Sequence, residues 1–252
     1  MMGRLVRKEI REQVLSLKGA IWMALAAVMF SGLSYSFITV KELSILAQVE
    51  IINTFLKVAI AFGLLMTIIS AAAAIAGEKE QGTLESLLLL PLKKRNMVIG
   101  KWLGAMTIWL VIAIIAFPYM LALGNGTSLY GAMILFLFVF GTLTVGSFAA
   151  ISLALSSLLQ SSKNAIIVSV ALFLVTALPA FLGTSIKKTG FGKVIDTISP
   201  LSGTMNLLKD LLINKLSIGN AVLNSISMIW FALAAILFLA YAVKKLTLLG
   251  GE

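Results

Sequence analysis

Five stretches of this chain carry no Asp, Glu, Lys or Arg: Gly19 to Val40, Val58 to Gly77, Trp102 to Ser162, Asn164 to Ile186 and Leu216 to Val243. Each reaches the roughly 20 residues that a helix needs to cross the hydrocarbon core of a bilayer. The stretch from Trp102 to Ser162 is about three times that length, and it is interrupted by the turn-forming cluster Gly124-Asn125-Gly126-Thr127-Ser128. It therefore reads as two spans joined by a tight hairpin. The expected spans are 19–40, 55–77, 102–123, 131–158, 164–186 and 219–243. A soluble domain keeps roughly a quarter of its residues charged, whereas this chain has 12% charged and 60% hydrophobic residues and a mean hydropathy of +1.06. The fold class is an all-α integral membrane protein, a single transmembrane domain over 1–252.

Cysteine and histidine are both absent. That removes disulfides, thiol chemistry, imidazole bases and the commonest zinc ligands, so neither a catalytic residue nor a metal site is expected. The net charge of +10 would suggest nucleic acid in a soluble protein. Here the Lys and Arg flank apolar blocks, where anionic lipid and membrane orientation account for them, and no nucleic-acid partner is expected.

With six spans both termini share one side. That side holds Arg4, Arg7, Lys8, Arg11, Lys18, Lys79, Lys93, Lys94, Arg95, Lys101, Lys163, Lys244 and Lys245, including every arginine. The other holds Lys41, Lys57, Lys187, Lys188, Lys193, Lys209 and Lys215. The imbalance places both termini in the cytoplasm. The first apolar block is too long for a signal-peptide core and lacks a clear cleavage site, so it is expected to persist as a span.

Within 1–18, Val6, Ile10, Val14 and Leu17 recur at helical spacing while Arg4, Lys8, Arg11 and Lys18 fall on the other side. This pattern predicts a helix lying in the inner membrane interface. Residues 187–218 form the longest external segment. It contains Gly190, Gly192 and Pro200, then an amphipathic run from Thr204 to Leu212. Too short to span, this short helical segment before span 6 either caps the outer mouth or dips in as a re-entrant helix. The last portion, 219–252, is span 6 with its cytoplasmic tail.

The most informative stretch is 78–101, between spans 2 and 3. Thr83 can accept from the first free amides of a helix, Glu85 suits its first turn, and Pro91 ends it after Leu90. A rod of about two turns results, and its consecutive leucines fit a cleft on another protein better than a solvated loop. Lys93, Lys94 and Arg95 follow at headgroup level, and Asn96 is placed to cap the next helix.

The pattern Glu78-x-Glu80-x-Gly82-Thr83-Leu84-Glu85-x-Leu87-Leu88, then Pro91, Arg95 and Gly100-Lys101, resembles the signature that follows the second span in type 2 ABC-transporter permeases. Six spans, internal termini, a basic N-terminal helix and Ser199-Pro200 before the last span agree with it. The resemblance implies that the short helix is a coupling helix docking on a nucleotide-binding subunit. Glu78, Glu80, Gly82, Thr83, Leu84, Glu85, Leu87 and Leu88 would shape and seat it, and Pro91 would end it. Arg4, Arg7, Lys8, Arg11, Lys18, Lys93, Lys94, Arg95 and Lys101 would anchor the assembly at the membrane surface. It further implies a dimer, with a homodimer the expected form, two cytoplasmic ATPases, and residence in the plasma membrane of a prokaryote.

The chain has no Gly-x-x-x-x-Gly-Lys-[Ser/Thr] loop, so it is not expected to be an enzyme by itself. ATP and Mg would be bound by the partner. The spans carry no charge deep in the apolar core, which argues against an ion-coupled carrier or channel and suits export of an amphiphilic or lipid-like cargo. An intramembrane protease fails for want of a His or a convincing acidic pair. A third alternative keeps the ABC assembly but transmits force to an extracytoplasmic partner. Phe62, Met66, Phe173 and Phe181 are assigned to packing, and the substrate site stays unknown. Gly100 and Gly104 have the spacing that allows close helix contact, Ala71–Ala74 and Ala76 make a smooth inner end for span 2, and Pro118 and Pro179 fall inside spans.

Overall fold

The computed structural model describes residues 2–39, 45–84, 94–125, 127–181 and 189–246, and these form helices with no strand among the described residues. Helix α1 is Met2–Val14 and α2 is Leu17–Ile38. They are followed by α3, Ile45–Glu80, and α4, Lys94–Leu123. Helix α5 runs over Tyr130–Leu158 and α6 over Ser162–Phe181. Three shorter helices, α7 (Gly190–Ile198), α8 (Pro200–Leu212) and α9 (Ile218–Asn224), lead into α10, Ile226–Lys245. Six of these, α2 to α6 and α10, are long and apolar enough to cross a membrane.

Two expected boundaries shift. Helix α3 has 36 residues, about 54 Å at 1.5 Å per residue, and so projects beyond any bilayer core. Hydropathy marks where water is excluded and not where a helix ends, so Glu50, Lys57, Lys79 and Glu80 all belong to one rod. The last span begins at Ile226 and not near 219, because Ser225 leaves helical geometry at φ −115° and ψ 29°.

The bundle centres on Trp109 of α4, which is fully buried. A Cβ on Gly63 of α3 would come within 2.5 Å of its ring, and one on Gly141 of α5 within 2.9 Å. Two glycines on neighbouring spans therefore form a slot for one indole, whose Nε1 donates to Thr142 Oγ1 at 2.9 Å. The five residues before Gly141, Phe136–Phe140, form a π-helical turn inside α5, a local under-winding that re-aims the helix face beyond it. Phe30, Phe55, Phe62 and Tyr119 tie α2, α3 and α4 together through ring contacts. Lipid offers apolar side chains no hydrophobic gain over one another, so close packing and such polar links hold the helices. The outward faces are apolar, with Val28, Ile167 and Leu237 exposed by 72%, 64% and 71%.

The segment before the last span packs against α5, α6 and α10. Ser199 caps α8 by accepting from Ser202 N at 3.1 Å and donates to Thr176 O of α6 at 2.6 Å. Thr204 meets Thr144 hydroxyl to hydroxyl at 2.8 Å, and Thr144 is midway along Tyr130–Leu158. Most of α8 is buried, including Leu201, Leu207, Leu208 and Leu212. Pro118 and Pro179 lie inside α4 and α6 as expected.

Candidate functional site between the second and third spans

The site begins where α3 stops. Gly82 adopts φ 66°, the left-handed conformation that glycine reaches without strain. Thr83 N donates to Glu78 O at 3.0 Å and Gly82 N to Lys79 O at 3.2 Å, the paired bonds of a Schellman helix end. Thr83, read from sequence as a cap for the following helix, directs its described bonds back to Glu78. The motif fixes the last turn, and Glu78, Lys79 and Glu80 leave it about 100° apart, each toward a different element.

Glu78 accepts from Lys101 Nζ at 2.7 Å, and Glu9 of α1 accepts from the same nitrogen at 3.1 Å. The Lys101 side chain is 2% exposed. A buried charge is tolerable only when paired, so α1, the end of α3 and the start of α4 are bound through one ammonium. Glu78 Oε2 is buried without a partner among the described residues. A Cβ on Gly104 would come within 2.8 Å of Glu9 Cβ, so Gly104, one member of the Gly-x-x-x-Gly spacing, is the seat of α1.

Lys79 Nζ donates to the carbonyls of Ser157 and, at 3.1 Å, Leu159, placing a cation on the carbonyls at the C-terminal end of α5. The Glu80 carboxylate accepts from Ser161 Oγ at 2.9 Å, from Ser162 N at 2.9 Å and from Ser162 Oγ. It thus serves as an anionic cap for α6 supplied by another helix. One turn higher, Ser156 Oγ accepts from Ile75 N at 3.0 Å and Ala76 N at 2.9 Å. That contact needs a surface without bulk, and Ala72, Ala76 and Ala165 supply it. At the far end of the connection, Lys94 Nζ donates to Leu246 O at 2.6 Å, the residue after α10.

Of the residues expected to seat a coupling helix, Glu78, Glu80, Gly82, Thr83 and Leu84 lie in this hub. Glu85, Leu87, Leu88 and Pro91 lie outside the described residues, as does Lys93. Leu84 is 3% exposed and joins this chain's own core; it does not present itself to a partner. Lys101, grouped by sequence with surface anchors, is enclosed by two carboxylates for the reason just given. Arg7, Lys8, Arg11, Lys18 and Arg95 are exposed, with Lys8 paired to Glu12 at 3.5 Å, and the side chain of Arg4 is outside the description. The stripe Val6, Ile10, Val14, Leu17 is not the face that α1 packs on the bundle. That face centres on Glu9, while Ile10 and Leu17 are exposed.

Sequence reading missed Glu9, Ser156, Ser157, Ser161 and Ser162. A serine pair before an apolar run is a recognisable helix-start signal, but its carboxylate partner lies 81 and 82 residues away. Among the described residues no group of His, Cys, Asp or Glu is arranged to hold a metal. The arrangement is mechanical: the residues flanking one connection grip the middle of α1 through Lys101, the facing ends of α5 and α6, and the residue after α10.

No curated protein matches the chain. A family model described as "ABC-2 family transporter protein" matches residues 4–243. Because that match covers nearly the whole sequence, the chain belongs to the ABC-2 transporter family, as a multi-pass membrane permease subunit of an ABC transporter whose ATPase is a partner subunit.

Proposed function

We propose that this permease is the membrane half of an exporter, working as a homodimer with two cytoplasmic ATPase subunits in a prokaryotic plasma membrane. Both termini face the cytoplasm, and α1 lies along the inner interface. Segment 78–101 takes the motion of the ATPase and passes it to the spans. The observation that carries this reading is the wiring of Glu78, Lys79, Glu80 and Lys94 to separate elements. A displacement of the connection is delivered at once to α1, to the α5–α6 turn and to the end of α10. The uncharged apolar stretches support an amphiphilic or lipid-like cargo.

A second reading, force transmission to an extracytoplasmic partner, is favoured by the Thr144 to Thr204 contact, which joins the segment before the last span directly to the middle of α5.

The test is co-purification of the ATPase with the permease, together with substrate-stimulated hydrolysis, for Glu85→Lys and Leu88→Asp. The first opposes a helix dipole at a cost of about 0.3–1 kcal/mol. The second puts an unpaired charge in the docking surface and weakens association by several kcal/mol. Both variants should reach the membrane and lose stimulation, while Lys193→Glu on the opposite face should behave as the parent. Unchanged binding and stimulation in both would refute the coupling role.

A further inference from the structure

We infer that the elbow between α1 and α2 holds one anionic phospholipid, with part of an acyl chain in a groove against α4 and its phosphate against Arg11 and Lys18. That the lipid comes from the cytoplasmic leaflet follows from the orientation proposed above. The site itself depends neither on that orientation nor on the coupling role.

The groove arises from how the two helices meet. Helix α1 ends at Val14, and Ser16 caps α2 by accepting from Gly19 N at 3.2 Å. A Cβ on Gly19 would lie within 2.2 Å of Gln13 O and 2.5 Å of Val14 O, so the elbow closes backbone to backbone. On its α4 side an open groove with about 230 Å³ of empty space remains. Its walls are Val14 of α1, Trp22 and Met23 of α2, and Ile108, Val111 and Ile112 of α4. The polar group in this apolar lining is the Gln13 side-chain amide, which makes no hydrogen bond among the described residues.

The groove is smaller than the roughly 300–1,000 Å³ of a pocket that encloses a whole small molecule. It therefore takes a segment of a ligand whose remainder lies outside. Outside is hydrocarbon: Leu15, Leu17, Ile21 and Leu110 beside the groove are all exposed, a surface that lipid tails cover. An acyl chain matches the lining and is already there.

Charge selects the headgroup. Arg11 lies one helical turn before Val14 and Lys18 one turn before Trp22, so each shares a face with a wall of the groove. Both are exposed, and neither is in an ion pair among the described residues. Glu9 is paired with Lys101 at 3.1 Å and Glu12 with Lys8 at 3.5 Å. With Glu9 enclosed, Glu12 is left against Arg7, Lys8, Arg11 and Lys18, and the local balance stays positive. A zwitterionic headgroup brings an ammonium that this surface repels, whereas an anionic one brings only attraction.

The test titrates the purified permease in detergent with phosphatidylglycerol or phosphatidylcholine carrying the same brominated acyl chains. Quenching of Trp22 is the difference between the parent and Trp22→Phe. Phosphatidylglycerol should quench Trp22 saturably, and phosphatidylcholine should need a several-fold higher concentration. Arg11→Gln and Lys18→Gln should each raise the half-saturating phosphatidylglycerol concentration several-fold. Lys244→Gln, which removes the same charge from an exposed site at the end of α10, should not. Val111→Phe fills the groove without changing charge and should abolish the saturable quenching. The proposal fails if the two lipids bind alike, if quenching rises without saturating, or if Lys244→Gln weakens binding as much as Lys18→Gln. Parent-like quenching in a folded Val111→Phe would also overturn it; if that variant does not fold, the exposed charge variants decide alone. None of these outcomes bears on the coupling reading.

Discussion

Glu80 Oε1 lies 2.9 Å from the backbone nitrogen of Ser162, so the final residue of one span caps the first turn of another. The free amides and dipole at a helix start favour an anion, and here that anion is borrowed from a neighbour. Anything that moves the end of α3 must drag the start of α6 or break this contact.

Replacing Glu80 should therefore uncouple without unfolding. The group is exposed, so global stability should change little. Glu80→Gln keeps an acceptor but loses the charge, and Glu80→Ala loses both. Substrate-stimulated ATP hydrolysis by the assembled complex should fall several-fold in alanine and less in glutamine, at equal membrane levels. Equal stimulation in all three proteins would show that α6 needs no cap from α3.

The Trp109 slot gives a stability prediction. A Cβ at Gly63 or Gly141 would enter the indole's space at 2.5 and 2.9 Å, and over-packing of this kind costs about 1–3 kcal/mol. Gly63→Ala and Gly141→Ala should each lower the unfolding temperature of the purified permease in detergent. Gly131→Ala and Gly219→Ala, where nothing lies within 4 Å of the added carbon, should not. The slot is misassigned if all four melt together.

Topology can be checked by labelling. Gln81 is exposed beside the α3 end, and Gly190 has open space around it at the start of α7. Gln81 is preferred to Gly82, whose φ of 66° would strain a cysteine. An impermeant maleimide added to intact cells should label cysteine at 190 and reach cysteine at 81 only after permeabilisation. Labelling of both from outside would reverse the orientation or the span count.

The six crossings were legible because a missing charge over about 20 residues has one economical explanation. Their ends were not, since Lys79 and Glu80 look like loop residues until Ser157 and Ser162 are known to receive them. The acidic pattern from Glu78 to Glu80 gave no sign of its partners within the chain: both carboxylates turn inward, to Lys101 and to Ser161 and Ser162. Leu84 and Lys101 were read by residue type, one as a docking side chain and one as a headgroup anchor. Their burial depends on neighbours as distant as Glu9, 92 residues from Lys101, which no local period reveals. The break at Ser225 escaped notice because serine inside an apolar run is compatible with an unbroken helix.

The triad of Glu9, Glu78 and Lys101 yields the sharpest test, because it has two carboxylates to one ammonium. Removing one member of a buried ion pair costs about 3–5 kcal/mol when a charge is left uncompensated. Lys101→Met leaves two such carboxylates facing each other, so it should be the most damaging single change. Glu9→Gln or Glu78→Gln leaves a one-to-one pair and an amide that can still accept, and each should cost far less. Lys101→Met combined with both glutamines leaves no charge buried, and much of the lost stability should return. That triple variant would still lack the tie between α1 and the end of α3. It should therefore melt near the parent in detergent yet show weak ATPase stimulation, separating the triad's part in folding from its part in coupling. The measurements are unfolding temperature and substrate-stimulated hydrolysis for the four proteins against the parent. If Lys101→Met melts with the parent, the lysine is not held between the two carboxylates, and α1 is held on the bundle by packing such as that of Glu9 on Gly104.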